Sequence, residues 1–445
     1  MTLTPKQSQG LSSELERVEA TYKALHPRSA EQQASAALHL PGGNTRTVLH
    51  YSPFPLTWAS GKGNRLTDLD GLGYLDLLGE YSAGLYGHSE PIIQAAMKRA
   101  IDDGLALGGP NRYEARLAAA IRARFPSLEL VRFTNSGTEA NLMALSAVCA
   151  SRPSRPQVMV FEGAYHGGVF QFRRGGSPLN APFGWLIGHY NDVAGTRALL
   201  RAHAATLAGV IVEPMLGGGC IPGSREFLRM LREECTANDI VLIFDEVMTS
   251  RLSPAGLQGV FDIRPDMTTL GKYLGGGASF GAFGGRRDIM ERFDPARPDS
   301  FGHAGTFNNN VLSMAGGLAG LTQVFTPAEV ARINALGDRL RERLNGIATE
   351  RGAPFRATGV GSLIGLHFGN DGAGAGQAIS QVETLFHLEM LNQGFYLARR
   401  GYIALSLPTT DTDCDAFARA VDGFLLARGA LIETALARPA VRGRL

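Results

Sequence analysis

A chain of 445 residues exceeds what one hydrophobic core usually covers, so two domains are expected. Hydrophobic residues at 44% and charged residues at 19% are ordinary for a soluble globular protein, and a net charge of +2 supplies no broad field for nucleic acid or an anionic membrane; small-molecule chemistry is left. Four widely spaced cysteines, Cys149, Cys220, Cys235 and Cys414, form no CxxC pair, which argues against a metal cluster or disulfide framework and suits a reducing compartment.

The opening MTLTPKQSQG is polar and lacks an apolar signal core, and no run approaches the roughly 18 apolar residues of a membrane span, so a cytoplasmic protein is expected. Residues 11–40 read as one or two helices interrupted near Pro27. A loop rich in Pro and Gly covers 41–55, and short strands follow near 56–57 and 73–77, split by the turn Asp70-Gly71. From about residue 90, helical stretches at 91–103, 111–124, 137–150, 192–204 and 224–238 alternate with apolar runs at 130–133, 158–161, 209–212, 240–244, 268–270 and 281–283. Short apolar runs without alternation, separated by helices, imply a mostly parallel sheet covered on both faces, an α/β domain. Residues 328–350 form a charged amphipathic helix ending at Gly352, and candidate strands at 361–367 and 402–405 belong to a smaller α+β domain. The expected division is an N-terminal segment 1–75 that joins the small domain, a large domain 76–330 and a C-terminal small domain 331–445.

Three places carry chemistry. Thr134-Asn135-Ser136-Gly137-Thr138-Glu139 lies where an apolar run ends and a helix begins. Unpaired helix N–H groups, a glycine that permits close approach and two hydroxyls make an anion site there, although an ordinary Ser/Thr cap has the same sequence. Asp245 ends the run 240–244, at the strand end where open α/β sheets place ligands; it suits holding a proton on a ring nitrogen, or capping a helix. Lys272 follows Met267-Thr268-Thr269-Leu270-Gly271 and precedes a run of glycines. Partial burial there would lower its pKa and make it a nucleophile for a Schiff base; a surface lysine is the plain alternative. Around Gly271-Lys272 and Gly61-Lys62 the glycine of an ATP-binding loop is missing, Asp266 and Leu56 standing in its place, and no dinucleotide-binding glycine pattern follows a strand. Together the cradle, the acid and the lysine fit one ligand, an aromatic aldehyde phosphate.

At these residues the chain resembles the class III, fold type I aminotransferases, which depend on pyridoxal 5'-phosphate (PLP). The segments PGGNTRTV, NSGTEAN, YHGG, EPM, DEVMTSR, TTLGKYLGGG and HAGTFNNN carry the resemblance over nearly the whole chain. It implies a large domain with a mostly parallel seven-stranded sheet plus a smaller α+β domain, and a homodimer with active sites at its interface. It further implies that Ser136, Gly137 and Thr138 bind the PLP phosphate and that Tyr165 and Val247 pack on opposite ring faces. Asp245 would pair with the ring nitrogen, Lys272 would carry PLP as a Schiff base and shuttle the proton, and Glu213 would lie behind the ring. Thr306 would reach the phosphate of the neighbouring subunit, with His166 in a supporting role.

Within that family two branches compete. VRFTNSGTEA resembles the glutamate-1-semialdehyde aminomutases, but Asn44-Thr45-Arg46, Leu397-Ala398-Arg399-Arg400 and Phe307-Asn308-Asn309-Asn310 depart from them. These segments, with EYSAGLYGHS at 80–89, resemble the aromatic β-amino acid aminotransferases. That resemblance implies transfer of the amino group of a β-amino acid such as β-phenylalanine to 2-oxoglutarate or pyruvate. Arginine binds carboxylates bidentately, and Arg46 and Arg400 are the candidates, with Arg399 able to replace Arg400. Tyr81, Ala83 and Tyr86 would line the pocket for the side group. A non-catalytic PLP-binding regulator is the reading from another class; no DNA-binding region is legible, and every expected catalytic position is filled.

Overall fold

The computed structural model describes residues 5–369 and 376–436; the polar start Met1–Thr4 of the expected signal-free terminus lies outside them. Its strands, in chain order, begin with β1 (Trp58–Lys62), β2 (Arg65–Asp68) and β3 (Gly73–Asp76). Then come β4 (Leu130–Thr134), β5 (Gln157–Phe161), β6 (Gly184–Gly188) and β7 (Leu207–Val212). A small hairpin, β8 (Met215–Leu216) and β9 (Ile221–Pro222), precedes β10 (Val241–Asp245), β11 (Met267–Gly271) and β12 (Gly281–Gly285). The last four are β13 (Phe355–Val360), β14 (Leu363–Phe368), β15 (Phe395–Tyr396) and β16 (Tyr402–Ala404). The chain forms two compact units, one of residues 82–334 and one of residues 1–81 with 335–445.

The unit of residues 82–334 is built on a seven-stranded sheet of order β4-β12-β11-β10-β7-β5-β6, as the family resemblance implies. β12 alone runs antiparallel to its neighbours. β5 explains why the strands lack alternation. Val158 and Val160 pack with Ala140, Ala144 and Val148 of the helix Gly137–Ser151 on one face. Met159 and Phe161 pack with Leu200, Phe227 and Leu231 of the helices Val193–Ala202 and Arg225–Ala237 on the other. Both faces are apolar because both are covered. β12 is nearly all glycine and alanine for a steric reason: a Cβ on Gly281 would meet the Ser136 carbonyl at 2.1 Å.

The other unit contains the helices Pro5–Leu25 and Pro27–Ala37, a four-stranded sheet β1-β2-β3-β15 and a three-stranded sheet β13-β14-β16. Some expected elements differ. Residues 56–57 are not a strand; the hairpin β1–β2 starts at Trp58 and turns at Gly63 (φ +58°). The expected strand 361–367 is present as β14, and the unexpected strand is its hairpin partner β13, joined to it through a turn at Gly361 (φ +55°). β6 went unread because glycines bound a core of only three apolar residues. The helix expected from residue 111 begins at Glu114, because the Asn111 side chain accepts the N–H groups of Tyr113 and Glu114 in a turn ahead of it. No helix among the described residues is long and apolar enough to cross a membrane.

Candidate active site

In the unit of residues 82–334, strand order brings the acid and the lysine side by side. β10 and β11 are parallel neighbours with Asp245 opposite Thr269, so Asp245 and Lys272 both leave the same sheet edge. The Asp245 carboxylate is buried, and three donors hold it. His166 Nδ1 and Asn141 Nδ2 each lie 2.8 Å from Oδ2, and the Val247 N–H donates to Oδ1 at 3.0 Å. Asn141 has only one workable orientation: Thr269 Oγ1 donates to its Oδ1 at 2.6 Å, so its Nδ2 must donate, to Asp245 and to the His166 carbonyl. Burial lowers the His166 pKa, but its hydrogen bond to Asp245 and the charges of Asp245 and Glu213 outweigh burial and leave it raised. His166 is thus favoured as imidazolium, while its Nε2 is buried without a partner.

Glu213 follows β7. Its two carboxylate oxygens accept the N–H groups of Tyr165 and Gly217, each at 2.9 Å. Burial nevertheless pushes its pKa up to about 7. The Tyr165 ring above it is 55% exposed, an open aromatic face rather than a core side chain.

The helix Gly137–Ser151 starts beside these strands. Ser136 is its cap: the Glu139 N–H donates to Ser136 Oγ at 3.1 Å, and Glu139 in turn accepts the Asn135 N–H at 2.7 Å. The first N–H groups of a helix have no carbonyl a turn earlier to bond, and the positive end of the helix dipole lies there. Close packing accounts for the glycines. A Cβ on Gly137 would lie 2.8 Å from Val247 Cγ1, one on Gly271 3.1 Å from the same methyl, and one on Gly167 2.3 Å from Thr138 Oγ1. Val247 is therefore wedged between the helix start and the residue before Lys272. Lys272 itself is half-buried and left-handed (φ +57°), a conformation that costs a side-chain-bearing residue about 1–3 kcal/mol and recurs at functional sites. Gly276 lets the next turn pass Gly316, whose carbonyl carbon a Cβ would meet at 2.4 Å. Thr306 is exposed on a loop pinned by Asn308, whose Oδ1 accepts from Asn135 Nδ2 at 3.1 Å.

These residues fit PLP by their chemistry. An N-terminal helix turn with a glycine and hydroxyls suits a phosphate, the buried carboxylate has acceptor capacity for a ring N–H, and a half-buried lysine stands one strand away.

In the other unit Arg46 and Arg400 converge on Tyr81. Their guanidinium carbons lie 5.7 and 5.6 Å from its ring centre, and Tyr402 stacks on it at 5.7 Å. Arg46 is ion-paired with Glu80. Arg399 turns elsewhere, toward Ser380 Oγ at 3.4 Å and Thr384 Oγ1 at 3.3 Å. Ala83 is half-buried. Tyr86 packs in the unit of residues 82–334, 6.2 Å from the Tyr273 ring and against Gly320. Asn141, Thr269 and Glu80 were not singled out from the sequence. For Asn141 a signal existed, a lone amide on the apolar helix face Ala140, Ala144, Leu145; the other two had none.

The sequence profile of the class III aminotransferase family matches residues 49–172 and 191–423. The chain is 47% identical to the β-phenylalanine transaminase of Variovorax paradoxus over 415 residues, 92% of this chain and 95% of that one. The solved structure of a β-phenylalanine aminotransferase from that organism superposes with a TM-score of 0.92, at 46% identity, covering 95% of this chain and 99% of that one. A solved transaminase with PLP bound gives a TM-score of 0.84 at 32% identity over 91% and 99% of the two chains. A glutamate-1-semialdehyde aminomutase from Pseudomonas aeruginosa PAO1 gives 0.85 at 25% identity over 97% and 100%.

Proposed function

The chain belongs to the class III aminotransferases, PLP-dependent enzymes, and we propose that it transfers the amino group of an aromatic β-amino acid such as β-phenylalanine to 2-oxoglutarate or pyruvate, leaving a β-keto acid. The observation that carries the reading is the pair Arg46 and Arg400 on the single ring of Tyr81. A transaminase takes two carboxylate-bearing partners in turn, and two planar cations beside an aromatic surface suit both the carboxylates and an aryl group. The direction of Arg399, toward Ser380 and Thr384, favours Arg400 as the second cation.

Bound PLP supplies an electron sink that lets the carbon bearing the amino group give up a proton. Lys272 would hold the cofactor and would take that proton and return it. Asp245, oriented by His166 and Asn141, would keep a proton on the ring nitrogen. Ser136, Gly137 and Thr138 bind the phosphate, Val247 and Tyr165 confine the ring, and Thr306 reaches the phosphate of a second subunit in a homodimer. Four free cysteines accord with a cytoplasmic enzyme.

The test is a panel of 3-amino-3-phenylpropanoate, aliphatic β-amino acids and glutamate 1-semialdehyde, each with and without a keto acid. Turnover of 3-amino-3-phenylpropanoate that stops after one equivalent unless 2-oxoglutarate or pyruvate is added is the expected result. Sustained isomerisation of the semialdehyde without a keto acid would instead make the chain an aminomutase.

A further inference from the structure

The turn after β3 is left-handed over four consecutive residues: Gly79 (φ +52°), Glu80 (+47°), Tyr81 (+52°) and Ser82 (+74°). Three of them carry side chains, for which this region is disfavoured. The turn is nonetheless firmly held. Asp76 Oδ1 accepts the N–H groups of Leu78 at 2.9 Å and Gly79 at 3.0 Å. The Ala404 carbonyl fills the place of a Cβ on Gly79, at 2.5 Å. A disfavoured backbone pinned in this way fixes the directions in which Glu80 and Tyr81 leave the chain.

Their targets are specific. The Tyr81 ring receives Arg46 and Arg400, and the Glu80 carboxylate pairs with Arg46. The two arginines differ. The side chains of Arg46 and Glu80 are 44% and 54% exposed, so their ion pair stands in water and exchanges readily. Arg400 Nε is buried and has no partner.

We propose that Glu80 is a resident substitute for the substrate carboxylate, occupying Arg46 in the free enzyme and yielding it when a carboxylate-bearing substrate arrives. This rests on the reading that Arg46 binds a substrate carboxylate. Both anions offer the guanidinium fork the same two-oxygen edge, so one replaces the other without leaving the arginine uncompensated. The arrangement also suits alternating substrates: when a keto acid places its carboxylate elsewhere, Glu80 neutralises Arg46 again.

The experiment compares KM for 3-amino-3-phenylpropanoate with KM for 1-phenylethylamine, which has the ring and amine without the carboxylate. It uses the PLP-loaded wild type, Glu80→Gln and Arg46→Gln. Glutamine keeps the size of Glu80 on the same backbone and removes only the competing charge. The KM ratio, β-amino acid over amine, should fall about two- to fivefold in E80Q, the range spanned by exposed ion pairs, and rise in R46Q. The inhibition constant of 3-phenylpropanoate, an unreactive carboxylate, should fall with the ratio in E80Q. A ratio that is unchanged in E80Q overturns the exchange, and one that rises makes Glu80 a fixed support for Arg46. If R46Q leaves the ratio unchanged, the carboxylate role of Arg46 fails and the exchange with it. If R46Q raises the ratio while E80Q does not lower it, the exchange alone fails.

Discussion

Glu213 and Asp245 are two buried carboxyls with different partners. Asp245 accepts from a side chain that favours the imidazolium form and from an oriented amide. For Glu213, burial outweighs the charge of His166 and two backbone N–H groups, pushing its pKa up from 4.5 to about 7. A folded pKa above the unfolded one means that the contribution of Glu213 to stability is whole below about pH 4.5 and is lost as pH rises through 7. The swing is about 3 kcal/mol. Glu213→Gln lacks this titration, so its stability relative to wild type should improve by about that amount between pH 4.5 and 7.5, read from denaturant midpoints. A difference that stays flat across this window would place the carboxyl at its ordinary pKa.

Three elements meet on one methyl-bearing side chain. The start of the helix Gly137–Ser151, the end of β11 and the segment after β10 close around Val247, with glycine on both sides because nothing larger fits. Gly137→Ala forces a Cβ to 2.8 Å from Val247 Cγ1 and 2.9 Å from Cγ2, against a β-branched side chain with little rotamer freedom to escape. Overpacking of this kind costs about 1–3 kcal/mol, and the helix start would carry it as a displacement of the phosphate cradle. PLP affinity, measured by absorbance titration, should fall about tenfold or more in G137A and recover in the double variant with Val247→Ala. Equal affinity in G137A and wild type would show that the helix start does not hold the phosphate.

On the scale of the whole molecule, the proposed homodimer would place the loop around Thr306 against the second subunit. Phe307 beside it is 65% exposed, a large apolar ring on a surface that Asn308 pins to Asn135 next to the cradle. Phe307→Asp should weaken self-association by at least about a hundredfold in analytical ultracentrifugation, since an unpaired charge would replace a ring that the proposed dimer would cover, and PLP affinity should fall with it. A monomer that keeps full PLP affinity would remove Thr306 from the partner's site.

Periodicity and strand-end chemistry made the large sheet readable in one dimension. Runs such as 158–161 and 240–244 are apolar throughout because both faces are covered, and a cradle, an acid and a lysine each followed such a run. What failed to be read was short or polar: β2, whose Arg65 and Asp68 hide the strand, and β6, held between glycines. Residues 399 and 400 are both arginine, and their divergence toward Ser380 and Tyr81 is decided by the turn before β16, which no local pattern encodes. Asn141 and Thr269 are 128 residues apart, and Glu80 meets Arg46 across 34. Hydrogen bonds and ion pairs over such distances depend on where the chain returns, so Lys272 and Asp245 could be named from the strands that deliver them, whereas the residues that orient Asp245 and occupy Arg46 exist as partners only in three dimensions.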